Sequence, residues 1–274
     1  MKFTIIPTPD ILKNDVECIR VTEYDGQNRL AINVCLNGKP GIVFQHYDGQ
    51  SPLENITTRF GSVASTPTLY VYGQMTEPGV MNHKLKPCST IQVVLKPHAL
   101  QTLLGLDASC LTNGLVELGE FSARHLNMQL IEARSEQQRL TLIINFLVAK
   151  LQQNRTRDCL VEESLSLIHQ NSTSVTVKQL LERLSLSERQ FEKRFSQTVG
   201  LTPQFYIRVK RFNEAIRFMK SGRFDKLTEV AHALNFYDQS HFIRDIKAFS
   251  GITPKTLAQK VEDLQFDQRV YAYF

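Results

Sequence analysis

Two hydrophobic periodicities divide the chain. Up to about residue 96 the apolar positions fall in short runs, at 16–24, 30–36, 41–47, 69–75 and 90–96, rich in Val, Ile, Tyr and Phe. Turn-forming stretches part them: Asp25-Gly26-Gln27-Asn28, Asn37-Gly38-Lys39-Pro40 and Asp48-Gly49-Gln50-Ser51-Pro52. Short β-rich runs between Gly, Pro and Asn punctuation predict strands, and strands at this spacing predict a barrel or sandwich.

From Pro97 the period becomes helical. Pro97 to Leu104 predicts a short helix closed by Gly105, and 122–134 predicts a second. Ser135-Glu136-Gln137-Gln138 fits a capping box opening a longer helix to about Gln153. Its stripe of Leu140, Ile143, Ile144, Leu147 and Leu151 suits packing on the strand-rich front or a dimer seam equally well. The polar, aperiodic run Gln152 to Asp158 marks a domain boundary. The expected division is a regulatory or dimerisation domain over 1–154, a second domain over 158–260, and a tail over 261–274.

The back third holds one pattern twice. Thr176-Val177-Lys178-Gln179 is a capping box for a helix running to about Leu184. Ser185-Leu186-Ser187 breaks it, Ser187 caps a second helix over 188–198, and Gly200 stops it. In the second copy, helix 228–234 is followed by Asn235-Phe236-Tyr237, the cap Asp238, a helix to about Phe249, and Gly251. A shift of 51 residues superposes Phe191 on Phe242, Lys193 on Arg244, Phe195 on Ile246, and Gly200-Leu201-Thr202-Pro203 on Gly251-Ile252-Thr253-Pro254. Helix, short turn, helix is the helix-turn-helix plan. Between the copies Thr202 caps a connecting helix with Pro203 in its first turn. Phe205, Val209, Phe212, Ala215, Ile216 and Met219 form its buried stripe. Such a helix would hold two readers at a fixed separation, and one turn of B-DNA is about 34 Å. The expected fold class is α+β: a β-rich front with trailing helices and an all-α back of two helix-turn-helix units on a linker helix.

Charge sharpens this division. The net charge is +5, yet residues 1–157 hold 15 Lys and Arg against 13 Asp and Glu, while residues 176–260 hold 16 against 8. A basic back attached to a near-neutral front suits a polyanionic partner, although a solvated surface would look the same. The five cysteines, Cys18, Cys35, Cys88, Cys110 and Cys159, show no zinc-ligand spacing, and His46, His83 and His98 add none. No metal or cofactor is expected. Neither a membrane span nor a signal pattern is visible, so a cytoplasmic protein is expected.

At this resolution of motif the chain resembles the AraC/XylS family of transcription regulators. Ser187-x-Arg189-x-Phe191-x-Lys193-x-Phe195 with Gly200-Leu201-Thr202-Pro203 is similar to its first unit, and Arg211-Phe212-x-x-Ala215 to its linker helix. Phe236-x-Asp238-Gln239-Ser240-His241-Phe242-x-Arg244 with Gly251-Ile252-Thr253-Pro254 is similar to its second unit. The likeness covers about residues 158–260. Leu181 stands where the family usually has Ala, and Ser185 and Asn235 stand where turn glycines are usual. Val93-Val94-Leu95-x-Pro97-His98-Ala99-Leu100 and Leu111-Thr112-x-x-Leu115-Val116 look like a sensor-type domain of some members.

What the resemblance implies is sequence-specific binding to double-stranded DNA, with no enzymatic activity. RNA polymerase, a small-molecule effector and a second copy of the chain are candidate partners, and activation of transcription is the expected output. With Phe191, Phe195, Phe242 and Ile246 turned inward, the opposite faces are expected to meet DNA. In the first unit these are Ser187, Arg189, Glu192, Lys193 and Arg194. In the second they are Gln239, Ser240, His241, Arg244 and Lys247. Arg and Lys suit guanine O6 and N7, Glu suits cytosine N4, and Gln suits adenine. Lys178, Arg208, Lys210, Arg211 and Lys247 are candidates for backbone phosphates, some of them, Arg211 above all, also suited to supporting the fold through internal ion pairs. The competing readings are a cysteine-based DNA-repair enzyme fused to a DNA-binding domain, which would need a clustered cysteine site, and an architectural DNA-binding protein without sequence choice.

Overall fold

A computed structural model describes residues 2–260, except Phe60, Ser122, Arg155, Arg223 and Asp225, together with residues 272–273. Among these, the front is built from two antiparallel sheets. One has the order β1-β2-β9-β4-β7-β10, formed by Lys2–Ile6 (β1), Val16–Tyr24 (β2), Cys88–Leu95 (β9), Gly41–His46 (β4), Leu69–Tyr72 (β7) and Leu115–Glu117 (β10). The other has the order β11-β3-β8-β5-β6, formed by Ala272–Tyr273 (β11), Leu30–Val34 (β3), Gly79–His83 (β8), Leu53–Thr58 (β5) and Gly61–Val63 (β6). The five apolar runs named above became β2, β3, β4, β7 and β9. The remaining strands lack a clean alternation: β1, β6 and β8 are half-exposed or exposed along almost their whole length.

Helices α1 (Ala99–Leu104), α2 (Arg124–Glu132) and α3 (Glu136–Gln153) follow. Gly105 ends α1 in the left-handed conformation at φ 66°, and the Ser135 hydroxyl accepts from the Gln138 amide to start α3. The α3 stripe packs on the first sheet. Leu140, Ile143 and Leu147 are buried in one core with Ile19, Phe44, Val71 and Val93, and Ile144 and Leu151 lie against it. Of the two uses open to that stripe, the structure displays the packing one.

The back is entirely helical: α4 (Cys159–Gln170), α5 (Val177–Leu184), α6 (Glu188–Val199), α7 (Pro203–Lys220), α8 (Leu227–Ala233), α9 (Gln239–Ser250) and α10 (Pro254–Lys260). It has two cores. Phe191, Phe195 and Val199 of α6 meet Val161, Ile168, Leu180 and Tyr206 in one. Phe242, Ile246 and Phe249 of α9 meet Val230, Phe212 and Ile216 in the other. The linker helix α7 contributes to both, as a spacer must. Cys35 and Leu36 of the front are fully buried in that second core.

Of the tail, 261–271 and Phe274 lie outside the described residues, while Ala272 and Tyr273 pair with Val34 and Asn33 of β3.

Candidate nucleic-acid interface

Each helix pair is fixed by local chemistry that the sequence announces. Thr176 and Gln179 complete a reciprocal capping box at α5. Ser185 then turns the chain at φ 53°, and Asn235 does the same in the second unit at φ 55°. These are the positions expected to carry glycine, because a left-handed backbone crowds any Cβ; Asn tolerates it better than Ser. Asp238 caps α9 by accepting from the His241 amide at 2.7 Å. Ser187 occupies the cap position of α6, but its hydroxyl donates to the Gln190 side chain at 2.9 Å and makes no capping bond. Gly200 and Gly251 end the two readers at φ 87° and 81°.

The 51-residue repeat is therefore real in three dimensions. Phe191 and Phe195, and their counterparts Phe242 and Ile246, are completely buried. The opposite faces are open. Ser187, Arg189, Glu192 and Lys193 are exposed on α6, and Gln239, Ser240, Arg244 and Lys247 on α9. His241 is half-buried, with its ring edge-on to Phe236 and Nε2 3.4 Å from the buried Asp245 carboxylate.

Several basic side chains among the interface candidates have partners within the protein. Arg194 of α6 makes two 2.8 Å bonds to Asp158, the cap of α4. Burial pushes the Asp158 carboxyl upward, but the Arg194 bonds and the amides of Val161 and Leu160 outweigh it and hold the carboxyl below its ordinary range. Arg211 lies half-buried with its guanidinium 5.6 Å from the centre of the Phe236 ring, and burial lowers its pKa. Arg208 donates to Asp245 at 2.7 Å, tying α7 to α9. Lys210 does not face solvent. It is 6% exposed beneath the front domain, and burial pulls its pKa down to about 8, helped by Lys39 and Arg217 and opposed by Glu17 and Glu214.

The front domain grips both units, a feature with no sequence signal because its partners are far apart in the chain. Thr112 donates to the Gly200 carbonyl at 2.5 Å, and Thr198 to Gln101 at 2.9 Å, at the end of α6. A Cβ on Gly200 would sit 2.9 Å from the Ala108 carbonyl oxygen, so this approach requires glycine for space as well as for φ. At the other unit the Leu36 amide donates to the Phe249 carbonyl at 3.1 Å, and Asn213 donates to the Asn37 carbonyl at 2.9 Å. Arg157 joins the halves: it donates to both oxygens of the fully buried Asp15 at 2.9 and 2.7 Å and to both of Glu162 at 3.1 and 2.9 Å.

Among the described residues no helix is long and apolar enough to cross a membrane, and no group of three or more His, Cys, Asp or Glu is arranged to hold a metal ion. The surface grooves are small and open. One lies on the α6 face itself, along Leu186, Gln190, Lys193, Arg194 and Gln197.

Comparison with known proteins agrees with this geometry. Residues 180–260 match a family model described as a helix-turn-helix domain, and residues 4–117 match one described as a domain of unknown function. The HTH-type transcriptional activator RhaS of Pectobacterium carotovorum is 34% identical over 86 residues, which is 31% of this chain and 30% of that protein. RhaS of Pectobacterium atrosepticum is 33% identical over 78 residues, 28% of each chain. The chain thus spans under a third of the length of the curated relatives it matches. Among solved structures, ToxT of Vibrio cholerae with an unsaturated fatty acid bound is similar over 91% of this chain and 97% of its own, at 15% identity and a TM-score of 0.49.

Proposed function

We propose that this chain, whose C-terminal third resembles the AraC/XylS family and matches a helix-turn-helix domain, is a transcription regulator that reads two successive major grooves of duplex DNA. The observation that carries the reading is the duplicated reader. Two helices related by a 51-residue repeat bury equivalent faces and leave equivalent polar faces open, and one rigid helix joins them. N-terminal residues of a recognition helix meet base edges, and Arg and Lys there select guanine. Arg189 and Lys193 on α6, and Gln239, Ser240 and Arg244 on α9, take those roles. Glu192 suits cytosine N4, while Ser187, His241 and Lys247 flank the base readers. Arg194 and Arg211 serve the DNA indirectly, by holding α6 on α4 and bracing the α9 entry turn. Repeated, base-reaching side chains favour this reading over an architectural protein that grips phosphates alone.

Residues 1–154 are the regulatory domain. Their grip on α6, α7 and α9 gives a small-molecule effector, or a second copy of the chain, a mechanical route to the readers. RNA polymerase is the partner through which a bound activator would act, and the cytoplasm is where it would meet DNA.

Selection of genomic fragments by the full chain, followed by gel-shift titration, tests the proposal. One duplex sequence should be enriched. Arg244→Ala should lower affinity for it by about 1–3 kcal/mol while leaving scrambled duplex nearly unchanged. Equal loss on both duplexes would refute base reading, and absence of any enriched sequence would refute the regulator itself.

A further inference from the structure

The two readers are not exact copies at their entry turns. In the first unit the left-handed Ser185 stands two residues before the cap position Ser187; in the second, the left-handed Asn235 stands three before Asp238. The second turn therefore holds one additional residue. The residue after the left-handed position is equivalent in both: Leu186 packs against the first core and Phe236 is buried in the second. The additional residue is Tyr237, and it is 92% exposed.

A tyrosine so open brings no packing to the free protein, although burying its ring would remove a large apolar surface from water. Its backbone is held from both sides. Phe236 anchors the turn between the edge-on ring of Phe242 and the Arg211 guanidinium, and the Asp238 cap fixes the chain one residue later. Tyr237 thus projects from a braced turn beside Gln239 and Ser240, at the N-terminal end of the helix taken above to enter the groove.

We propose that Tyr237 is a DNA-contacting, specificity-determining residue of the second reader: its ring lies against a thymine methyl and the neighbouring sugar, and its hydroxyl donates to a phosphate oxygen. This deepens the regulator reading and rests on it. The major groove offers the thymine C5-methyl as its one apolar feature, and Tyr hydroxyls are common phosphate donors. The duplication makes the role asymmetric, since the shorter first turn has no residue at this place.

The test uses the full chain with Tyr237→Ala and Tyr237→Phe, each put through selection from a randomised duplex library and then titrated against the wild-type consensus. Tyr237→Ala should keep the wild-type melting temperature, lose about tenfold in affinity, and lose the A·T preference at one base pair facing the first turn of α9. Tyr237→Phe should retain that preference, with a smaller loss from the missing phosphate bond. If the wild type selects a sequence and Tyr237→Ala selects the same one with the same affinity, the inference is overturned while the regulator reading stands. If the wild type enriches nothing, both fall. A lowered melting temperature in Tyr237→Ala would also overturn it, because the side chain would then be serving the fold.

Discussion

Replacing Arg157 with Ala tests the joint between the two halves. Asp15 is completely buried, and besides Arg157 the His98 ring lies beside it, with Nε2 at 3.4 Å. At an effective dielectric of about 20, two unit charges at the 2.7 Å of the Arg157–Asp15 contact attract by about 6 kcal/mol. Desolvating the carboxylate consumes several kcal/mol of that. The variant, however, leaves the cost in place and deletes the attraction. Removing one partner of a buried pair typically costs about 3–5 kcal/mol. Because the Arg157 side chain is 32% exposed and so partly screened, about 2–4 kcal/mol is expected here. Losing the exposed-side contact with Glu162 adds at most a few tenths. The assay is urea denaturation of wild type, Arg157→Ala, Asp15→Asn and the double variant, read as a double-mutant cycle. Asp15→Asn should recover part of what Arg157→Ala loses, giving a coupling of about 2 kcal/mol. An Arg157→Ala cost below about 0.5 kcal/mol, or no coupling in the cycle, would refute the claim that this pair ties the front to the back.

Two further outcomes follow from burial and backbone. The folded pKa of Lys210 is depressed to about 8 from 10.5, so below about 8 both states carry the proton and folding bears the whole desolvation cost; between about 8 and 10.5 the unfolded chain binds more protons and stability rises with pH. Lys210→Met should therefore be more stable than wild type at pH 7 by up to about 3 kcal/mol, with the gap narrowing by pH 10, measured by denaturation at both pH values; a gap that stays constant would contradict the assignment. Ser185→Gly should raise stability by about 0.5–1 kcal/mol, since the relief of a left-handed Cβ exceeds the entropy glycine adds to the unfolded chain; a thermal melt showing destabilisation would mean the Ser185 side chain is making a contact that matters.

The back of the molecule was legible because its determinants are local. The caps Thr176, Thr202 and Asp238, the stops Gly200 and Gly251, and the paired aromatic positions all act within a turn or two, and they landed where their spacing put them. The duplication made the exposed faces of α6 and α9 readable as well. The ion pairs were not. Arg194, Arg208 and Arg211 look from the sequence like any basic helix residue, and only the fold brings Asp158, Asp245 and the Phe236 ring to them. Lys210 misled for the same reason. Its outward-looking charge lies on the face of α7 that the 35–39 loop covers, a contact with no trace in either segment alone. In the front, strands buried on the first sheet declared themselves through Val and Ile runs. Of the second sheet β3 did so too, while β5 and β8, with mixed exposure and residues such as Asn55, Asn82 and His83, carry too little pattern to find.

The presence of Cys35 and Leu36 inside the second reader's core has a consequence for how this molecule comes apart. Those two residues belong by chain position to the connection that crosses from β3 in one sheet to β4 in the other, and by packing to a helical bundle. Withdrawing that connection would open a void beside Phe249 and strand its carbonyl without the Leu36 amide. The β3–β4 connection and the second reader therefore melt together, so that whatever loosens this one strand connection at the front is felt at once as a loss of order in the groove-reading helix some two hundred residues further along the chain.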